Sequence, residues 1–331
     1  MVQAVETSAP LRIGVIGVGT MGSNHARVLA GLSGVKFVGV ADPDRTQRDL
    51  VTRVLGCPAV NDLEALLALG VDAVTIAAPT HLHHEIALTC IARGIHVLVE
   101  KPIASTVEEG REIIAAARKA GVTLMVGHVE RFNPAVTAIK AAIKDEDILS
   151  IAITRVGPFP PRMSNVGVVI DLAVHDIDLI RWFTDSDIVE VQPQLSSAVA
   201  EREDIALLQF RTASGVLAHI NTNWLTPFKA RNVTVATRGK YVTGDLLTRQ
   251  VTECFGFQPD GAYSMRHVSV GHDEPLRAEL ISFIDAVRSG KRPAVTGEEG
   301  VASLEIATRC LEGRSAATAQ AAHKAPRRVA G

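Results

Sequence analysis

A lysine, an aspartate and a histidine stand in patterns that suit proton transfer and the stabilisation of a negatively charged oxygen. Lys101 directly follows an apolar strand candidate, and Asp171 and His175 lie four residues apart in a helical pattern. Residues four apart on a helix share one face, so we expect Asp171 and His175 to lie side by side. An imidazole exchanges a proton near neutral pH, and an ammonium group stabilises charge that develops on an oxygen. Asp178, on the same stripe, is interpreted as a helix-stabilising group.

A glycine-rich loop forms the second pattern. Gly17-Val18-Gly19-Thr20-Met21-Gly22 follows an apolar run and opens a helical pattern, which is the context that a dinucleotide-binding loop requires. Its first glycine permits the tight turn, the second lets the backbone approach a pyrophosphate, and the third lets helix and strand pack closely. Cofactor contacts are therefore expected from Gly17, Gly19, Thr20, Met21 and Gly22. The alternative is a glycine turn that only joins a strand to a helix.

An acidic residue bears on the choice of cofactor. Asp42 ends the second strand candidate, twenty residues after Gly22. A carboxylate there can accept hydrogen bonds from both hydroxyls of an adenosine ribose, whereas a 2′-phosphate would set like charges together. The sequence therefore predicts NAD, with NADP still possible because Arg45 follows three residues later and could reach a phosphate.

These residues fall in a first third that alternates short β-branched runs with longer helical patterns. That alternation is typical of βαβ units and a parallel sheet. Six strand candidates are complete by about His128, and the clearest lie at Leu11–Ile16, Val35–Ala41, Ala73–Ala78, Ile95–Val99 and Val122–Val126. Lys101 then stands at the carboxyl edge of the sheet, where open α/β sheets bind ligands.

The pattern changes after residue 128. Strand candidates dominate from Ile148 onward, and several alternate apolar with polar residues, which predicts an antiparallel sheet with one covered face. We therefore expect a dinucleotide-binding domain over residues 1–128, a second α/β domain over residues 129–312 and a disordered tail over residues 313–331. Helices of the second domain are expected at Asp171–Phe183, Glu274–Arg288 and Glu298–Leu311.

Composition excludes several classes of protein. The 331 residues carry a formal net charge of −2 and no basic stripe with interleaved aromatics, which argues against a nucleic-acid partner. Four widely spaced cysteines without a CxxC pair disfavour a disulfide scaffold or a zinc site, so no metal is expected. No signal peptide or membrane-spanning run is visible. The sequence predicts a soluble cytoplasmic protein.

Taken together and in order, these motifs resemble the Gfo/Idh/MocA family of nicotinamide-dependent sugar and inositol oxidoreductases. The resemblance rests on GxGxxG, Asp42, Pro79-Thr80-His81-Leu82-His83, Glu100-Lys101-Pro102 and the Asp-x-x-x-His helix, and it covers Leu11 to about Leu311. It implies an N-terminal Rossmann domain with a doubly wound parallel sheet and a C-terminal α/β domain with an open, mostly antiparallel sheet. The exposed face of that second sheet would form a homodimer or homotetramer.

The resemblance also assigns roles. It implies that Lys101, Asp171 and His175 form the catalytic set, with His175 exchanging the hydroxyl proton, Lys101 bonding the reacting oxygen and Asp171 orienting the histidine or a neighbouring hydroxyl. Thr80, His83, Glu100 and Lys101 are the implied cofactor contacts. Each residue has a structural alternative: a solvated lysine, a core histidine, a helix N-cap at Thr80 and a packing imidazole at His83. Whether the Lys101–Pro102 bond is cis stays open.

Two loops, residues 155–162 and 223–231, combine cations with aromatic residues and prolines. Arg155, Arg162, Lys229 and Arg231 could clamp a phosphate while the rings stack on a base; alternatively they are solvated cations. These loops resemble the branch of the family that oxidises UDP-N-acetylglucosamine at the 3-position. The hypothesis is therefore a nucleotide-sugar 3-dehydrogenase.

Three other functions stay open. They are an inositol or free-sugar dehydrogenase of the same family, a redox-neutral NAD-dependent enzyme that cleaves a glycoside, and a non-catalytic cofactor-sensing regulator. Retention of both Lys101 and His175 argues against a regulator, because a sensor has no use for a proton relay.

Overall fold

The computed structural model describes residues 9–160 and 166–322, with side chains described as far as residue 313. It divides into two compact units. The first contains the chain up to Val129 together with Glu274–Val301, and the second contains Glu130–Asp273 and the chain from Ala302 onward.

The first unit is a doubly wound α/β fold. Its six strands are all parallel and lie in the order β3-β2-β1-β4-β5-β6, so the chain changes direction in the sheet between β1 and β4. Its strands are β1 (Leu11–Ile16), β2 (Val35–Ala41), β3 (Ala59–Val60), β4 (Ala73–Ile76), β5 (His96–Glu100) and β6 (Leu124–Gly127). Its first five helices are α1 (Thr20–Ala30), α2 (Arg45–Leu55), α3 (Leu63–Ala68), α4 (His83–Ile91) and α5 (Val107–Ala120). This confirms the predicted Rossmann domain.

The second unit is built on an eight-stranded sheet in the order β14-β13-β12-β11-β7-β10-β9-β8. Only the β7–β10 pair is parallel, which confirms the mostly antiparallel sheet. Its strands are β7 (Ile148–Pro158), β8 (Ile188–Ser196), β9 (Ile205–Thr212), β10 (Leu217–Asn223), β11 (Leu225–Thr237), β12 (Lys240–Asp245), β13 (Gln250–Phe255) and β14 (Ser264–Val268). Helices α6 (Pro134–Ala142) and α7 (Val174–Thr184) pack with the covered face.

The alternation of β9 explains why the sheet has one covered and one open face. Ala206, Leu208 and Phe210 are buried in the core, while the residues between them face outward. Successive side chains on a strand point to opposite faces, so this strand supplies one apolar and one largely polar surface. The core of the second unit therefore lies between the inner face and the helices.

The segment that holds α8 (Pro275–Ser289) corrects the predicted domain boundaries. Residues 274–301 were expected in the second domain but belong to the first unit. Leu276, Leu280 and Phe283 bury the apolar face of α8, which packs with α1. Beyond α8, Val295 accepts a hydrogen bond of 3.1 Å from the backbone N–H of Val126 on β6. The amphipathic pattern of α8 predicts that one face is buried, but it does not say against which elements.

The last helix, α9 (Gly297–Ala322), corrects the expected tail. Residues 313–322 were expected to be disordered, but the helix continues through them, and their alanine-rich composition has high intrinsic helix propensity. Residues 323–331 lie outside the described residues. Across residues 9–160 and 166–322, no helix combines the length and apolar character needed to cross a membrane.

Candidate active site

In the glycine loop after β1, two glycines are required by close contacts and the third leaves an open approach to the backbone. Gly17 has φ +81°, and a Cβ there would lie 2.7 Å from the backbone of Ala78. A Cβ on Gly22 would lie 1.8 Å from the carbonyl oxygen of Gly17, so only glycine lets α1 pack this closely on the loop. A Cβ on Gly19 would have nothing within 4 Å, which leaves its backbone open to an approaching group.

The N-terminus of α1 supplies hydrogen-bond donors beside this loop. Thr20 and Met21 are the first two residues of the eleven-residue helix, and Gly19 is its N-cap without a side-chain cap. The first N–H groups of a helix have no acceptor within the helix, and they carry partial positive charge. This end therefore fits the pyrophosphate of a dinucleotide.

Asp42 fastens the loop to the end of β2. Its Oδ2 accepts a hydrogen bond of 2.7 Å from the backbone N–H of Val18, and its Oδ1 accepts one of 2.8 Å from that of Asp44. Each carboxylate oxygen has a further lone pair, which can accept a ribose hydroxyl. Arg45 is largely exposed and lies 3.6 Å from Asp49 along α2, so it pairs along its own helix. The arrangement fits NAD.

The turn after β4 corrects one of the cofactor predictions. Thr80 is partly exposed and begins a short 3₁₀ turn, whereas His83 is only 1% exposed. The ring nitrogens of His83 lie 2.9 Å from the carbonyl oxygen of Pro102 and 2.8 Å from that of Ala78. A neutral imidazole carries one N–H, so His83 donates to one of these two carbonyl oxygens at a time. Because its side chain is buried between the two loops, its predicted cofactor contact is corrected to a role in packing them together.

The end of β5 carries Glu100 and Lys101, and the Lys101–Pro102 peptide bond is cis. Glu100 is 7% exposed; its Oε2 accepts a hydrogen bond of 3.2 Å from the backbone N–H of Lys101, and its Oε1 lies 2.9 Å from Nε2 of His25. Because the Glu100 side chain is buried and its oxygens are held by His25 and by the backbone of Lys101, its predicted cofactor contact is corrected to a role in holding Lys101. The Lys101 side chain itself is partly exposed.

In the second unit, Asp171 and His175 lie on a helix whose geometry changes between them. Residues Val169–Ala173 form a π-helical turn, and α7 begins at Val174. A π turn widens the helix at Asp171, so the expectation of a regular α-helix over both residues is corrected. That the two side chains lie side by side stays a prediction. Both side chains are partly exposed.

A glutamate on the loop before β9 holds the entry to this helix. The carbonyl oxygen of Glu203 accepts a hydrogen bond of 3.0 Å from the N–H of Val168, and its Oε1 accepts one of 3.3 Å from Val169. Glu203 is buried. It therefore fixes the start of the π turn that carries Asp171.

Two buried arginines anchor α7 next to His175. Arg155 on β7 donates to both oxygens of Asp176 at 2.7–3.0 Å, and Arg131 donates to both oxygens of Asp178 at 2.6 Å. Bidentate arginine–carboxylate pairs fix orientation as well as distance. Asp178 therefore has the helix-stabilising role that the sequence predicts.

Arg155 belongs to a larger charge network. Its Nη1 donates to Oε1 of Glu130 at 2.8 Å, and Arg231 donates to the same oxygen at 2.8 Å. Burial lowers the pKa of Arg155, but Asp176 and Glu130 more than offset this, so the net shift is upward. Burial raises the pKa of Glu130, but the charges of Arg155 and Arg231 lower it by more, so the net shift is downward. These two shifts favour the charged forms of Arg155 and Glu130, whereas burial raises the pKa of Asp176 despite its contact with Arg155.

These contacts and exposures show which of the predicted substrate residues are available to bind a substrate. Arg155 is 2% exposed and fully engaged, so its predicted substrate contact is wrong. Arg231 is one-third exposed and bound to Glu130, while Lys229 is exposed on β11. Arg162 lies outside the described residues.

We expect Arg155→Met to lower the free energy of unfolding by about 3–5 kcal/mol, because it leaves Asp176 and Glu130 buried beside an apolar side chain. Denaturant titration measures the change. The matched control is Arg238→Met, whose partner Asp147 lies 2.8 Å away in an exposed pair, where the expected loss is below about 1 kcal/mol. Equal losses in the two variants would contradict a buried network.

The sequence did not single out Asp176, Glu203, His25 or Glu279, all of which are buried polar residues. Asp176 and Asp178 do leave a signal, because acidic residues in an otherwise apolar helix need partners. Their partners lie 21 and 47 residues away, and no local pattern connects them.

Comparison with protein-family models gives two matches. The model described as "Oxidoreductase family, NAD-binding Rossmann fold" matches residues 11–128, and the "GFO/IDH/MocA C-terminal domain" matches residues 148–242.

The sequences of named relatives align with nearly the whole chain. The UDP-N-acetylglucosamine 3-dehydrogenase of Acidithiobacillus ferrooxidans is 30% identical over 93% of this chain and 98% of its own length. Inositol 2-dehydrogenase 1 of Saccharopolyspora erythraea is 28% identical over 93% of this chain and 95% of its own. The solved structure of the Acidithiobacillus enzyme, GnnA, superposes with a TM-score of 0.85 at 28% identity and covers 92% of this chain and 97% of that one.

Proposed function

The chain belongs to the Gfo/Idh/MocA family of NAD-binding oxidoreductases, and from this premise we propose that it oxidises a secondary hydroxyl of a nucleotide sugar, with UDP-N-acetylglucosamine as the substrate. The observation that carries the proposal is the 30% identity to a UDP-N-acetylglucosamine 3-dehydrogenase over almost all of both chains. The exposed cation Lys229 supports it, because a nucleotide diphosphate is an anion.

The proposed reaction breaks the C–H bond and the O–H bond of one secondary alcohol and forms a C=O double bond. Bound NAD⁺ supplies the acceptor for the hydride that leaves carbon. His175 takes the hydroxyl proton, Lys101 donates a hydrogen bond to the oxygen as it gains charge, and Asp171 orients the histidine or an adjacent hydroxyl. The products are a keto sugar, NADH and one proton, so electrons and atoms balance.

Residues of the first unit would hold the cofactor. The loop from Gly17 to Gly22 and the N-terminus of α1 would bind the pyrophosphate, and Asp42 would accept the ribose hydroxyls. Thr80, at the end of β4, lies at the same carboxyl edge of the sheet. These roles involve backbone groups and one carboxylate that the unit already holds in place.

A second candidate is an inositol dehydrogenase. It is favoured by the 28% identity to an inositol 2-dehydrogenase over 93% of this chain and by the internal pairing of Arg155, which removes one of the cations expected to bind a nucleotide phosphate. Both candidates oxidise a secondary hydroxyl by the same chemistry. They differ because only the nucleotide sugar carries an anionic diphosphate.

NADH absorbance with a substrate panel tests the proposal. We expect stoichiometric NADH accumulation with UDP-N-acetylglucosamine and little with N-acetylglucosamine or inositol. Lys229→Ala should raise KM for the UDP-sugar about tenfold, the value of one charge-assisted hydrogen bond, while the matched variant Lys144→Ala leaves it unchanged. Preference for inositol would favour the second candidate. Product without net NADH would indicate a redox-neutral enzyme, and NAD binding without turnover a regulator.

The proposed enzyme forms a homodimer or homotetramer through the outer face of the second unit's sheet. This face exposes Leu207, Leu217, Tyr241 and Met265 at 45–62% of their surfaces, and a depression of about 610 Å³ lies over β8, β9 and β10. Exposed apolar groups on an uncovered sheet face are typical of protein–protein contacts.

Leu207→Glu with Leu217→Glu should convert the oligomer to monomers, because four or more carboxylates would be buried at the contact. Light scattering after size-exclusion chromatography measures the mass. Leu149→Glu is the matched control, since Leu149 is 45% exposed but shares the register of the buried Ile151 and Ile153. A wild-type monomer, or an oligomer that survives both substitutions, would contradict this interface.

A further inference from the structure

Three ionisable side chains from distant parts of the sequence meet in the interior of the first unit. His25 lies on α1, Glu100 ends β5 and Glu279 lies on α8, and all three are buried. One ligand-capable atom from each lies within 4.8 Å of the others. The proposed reaction uses none of them directly.

Glu100 connects this cluster to Lys101. Its Oε1 lies 2.9 Å from Nε2 of His25, and its Oε2 accepts the backbone N–H of Lys101 at 3.2 Å. Gly127 makes room for the carboxylate, since a Cβ there would lie 3.0 Å from the Glu100 Cδ. The orientation of Glu100 therefore influences where the backbone of Lys101 lies.

Glu279 is the unusual member of the cluster. Its side chain is 0% exposed, and neither carboxylate oxygen has a hydrogen-bond partner in the part of the chain that the structure describes. An ionised carboxylate without partners is costly to bury, and a second carboxylate within 4.8 Å adds repulsion. Burial, with a smaller effect of the Glu100 charge, raises the pKa of Glu279 well above its usual value.

Protonation of Glu279 removes both the cost of burying an ionised carboxylate and its repulsion by the Glu100 carboxylate. A neutral carboxyl group removes the like-charge repulsion with Glu100, and its O–H can be directed at the Glu100 carboxylate. Among the described residues, the ionisable groups that reach Glu279 are Glu100 from β5 and His25 from α1. The cluster then contains one carboxylate, one carboxylic acid and one imidazole.

We propose that Glu279 is a positioning residue: it steadies the Glu100 carboxylate, which in turn holds the backbone of Lys101 for the reaction. The inference rests on the proposed role of Lys101. It gives α8 a function within the first unit, although α8 lies about 180 residues beyond β5, the strand that precedes Lys101.

Two substitutions separate positioning from simple packing. Glu279→Gln keeps a neutral group with donor N–H atoms and should leave kcat within about threefold of wild type, whereas Glu279→Met removes the donor and should lower kcat about 10- to 100-fold, the cost of misplacing a catalytic group. The dissociation constant for NAD⁺ should be unchanged in both variants. Asp285→Asn, at an exposed position on α8, is the matched control.

The pH dependence of stability gives a readout that does not need turnover. A carboxyl group whose pKa is raised by folding binds its proton more tightly in the native state, so the wild type loses stability as pH rises above about 4.5. Glu279→Gln has no proton to lose there. Its melting temperature relative to wild type should therefore increase as pH rises above about 4.5.

The outcomes distinguish this inference from the proposed function. If Lys101→Met abolishes turnover but Glu279→Met does not, the positioning role is overturned alone. If Lys101→Met leaves turnover intact, the proposed function fails and the positioning role fails with it. A melting-temperature difference that does not change with pH would overturn the protonated state.

Metal analysis is a further check: a stoichiometric ion in the wild type that is absent from Glu279→Gln would mean that the three side chains bind a cation instead.

Discussion

Lys101→Met is expected to lower kcat by about two to three orders of magnitude, the usual cost of removing one donor to a developing oxyanion. The dissociation constant for NAD⁺ should change less than threefold, because the glycine loop, α1 and Asp42 are untouched. Methionine keeps the apolar stem of lysine and removes only the ammonium group. Steady-state kinetics together with a cofactor titration separates the two effects.

The control for this experiment is Lys119→Met, which removes an ammonium group from an exposed position on α5. It should leave kcat and NAD⁺ affinity unchanged. If Lys101→Met retains more than about one-third of wild-type kcat, the lysine is a solvated side chain. The proposed mechanism then lacks the donor that stabilises negative charge on the reacting oxygen.

His175→Asn is expected to lower kcat by about two to four orders of magnitude, the usual contribution of a general base. It should also change the pH profile. A neutral histidine is needed to accept the hydroxyl proton, so wild-type kcat/KM should fall toward acid pH as the imidazole becomes protonated. This fall should be absent in the variant.

A structural role for His175 predicts a different result. Loss of a core histidine would lower the free energy of unfolding and reduce the amount of active enzyme, but the remaining activity would keep the wild-type pH profile. Because α7 is held by the Arg155–Asp176 and Arg131–Asp178 pairs, we expect His175→Asn to unfold at a denaturant concentration close to wild type.

The features predicted from sequence are those whose physical cause is local. Gly17 and Gly22 are required by contacts within the cofactor loop and with the neighbouring residues Ala77 and Ala78, and Asp42 accepts a hydrogen bond from a backbone N–H of the same loop. A motif of six residues therefore specifies much of the carboxyl edge of the first unit's sheet, where a ligand is expected to bind. The alternation of β9 predicts a sheet with one covered face for the same reason.

The features that sequence did not predict depend on long-range contacts. Arg155 stands beside aromatic and proline residues, which suggested an anion contact, but its charge is balanced by Glu130 and Asp176, 25 and 21 residues away. Glu279 joins a cluster with residues 254 and 179 positions earlier in the chain. The π turn at Val169–Ala173 leaves no mark in apolar periodicity, so the spacing of Asp171 and His175 indicated a regular α-helix.

A double-mutant cycle on Lys101 and His175 tests most directly whether both act on one substrate hydroxyl. Single-turnover hydride transfer to NAD⁺ would be measured for the wild type, Lys101→Met, His175→Asn and the double variant. When two residues act as a unit, removing either one already removes most of the rate enhancement. The double variant should therefore be hardly slower than the slower single variant. Rate losses that multiply in the double variant would show that the two residues act independently, and this would contradict the account.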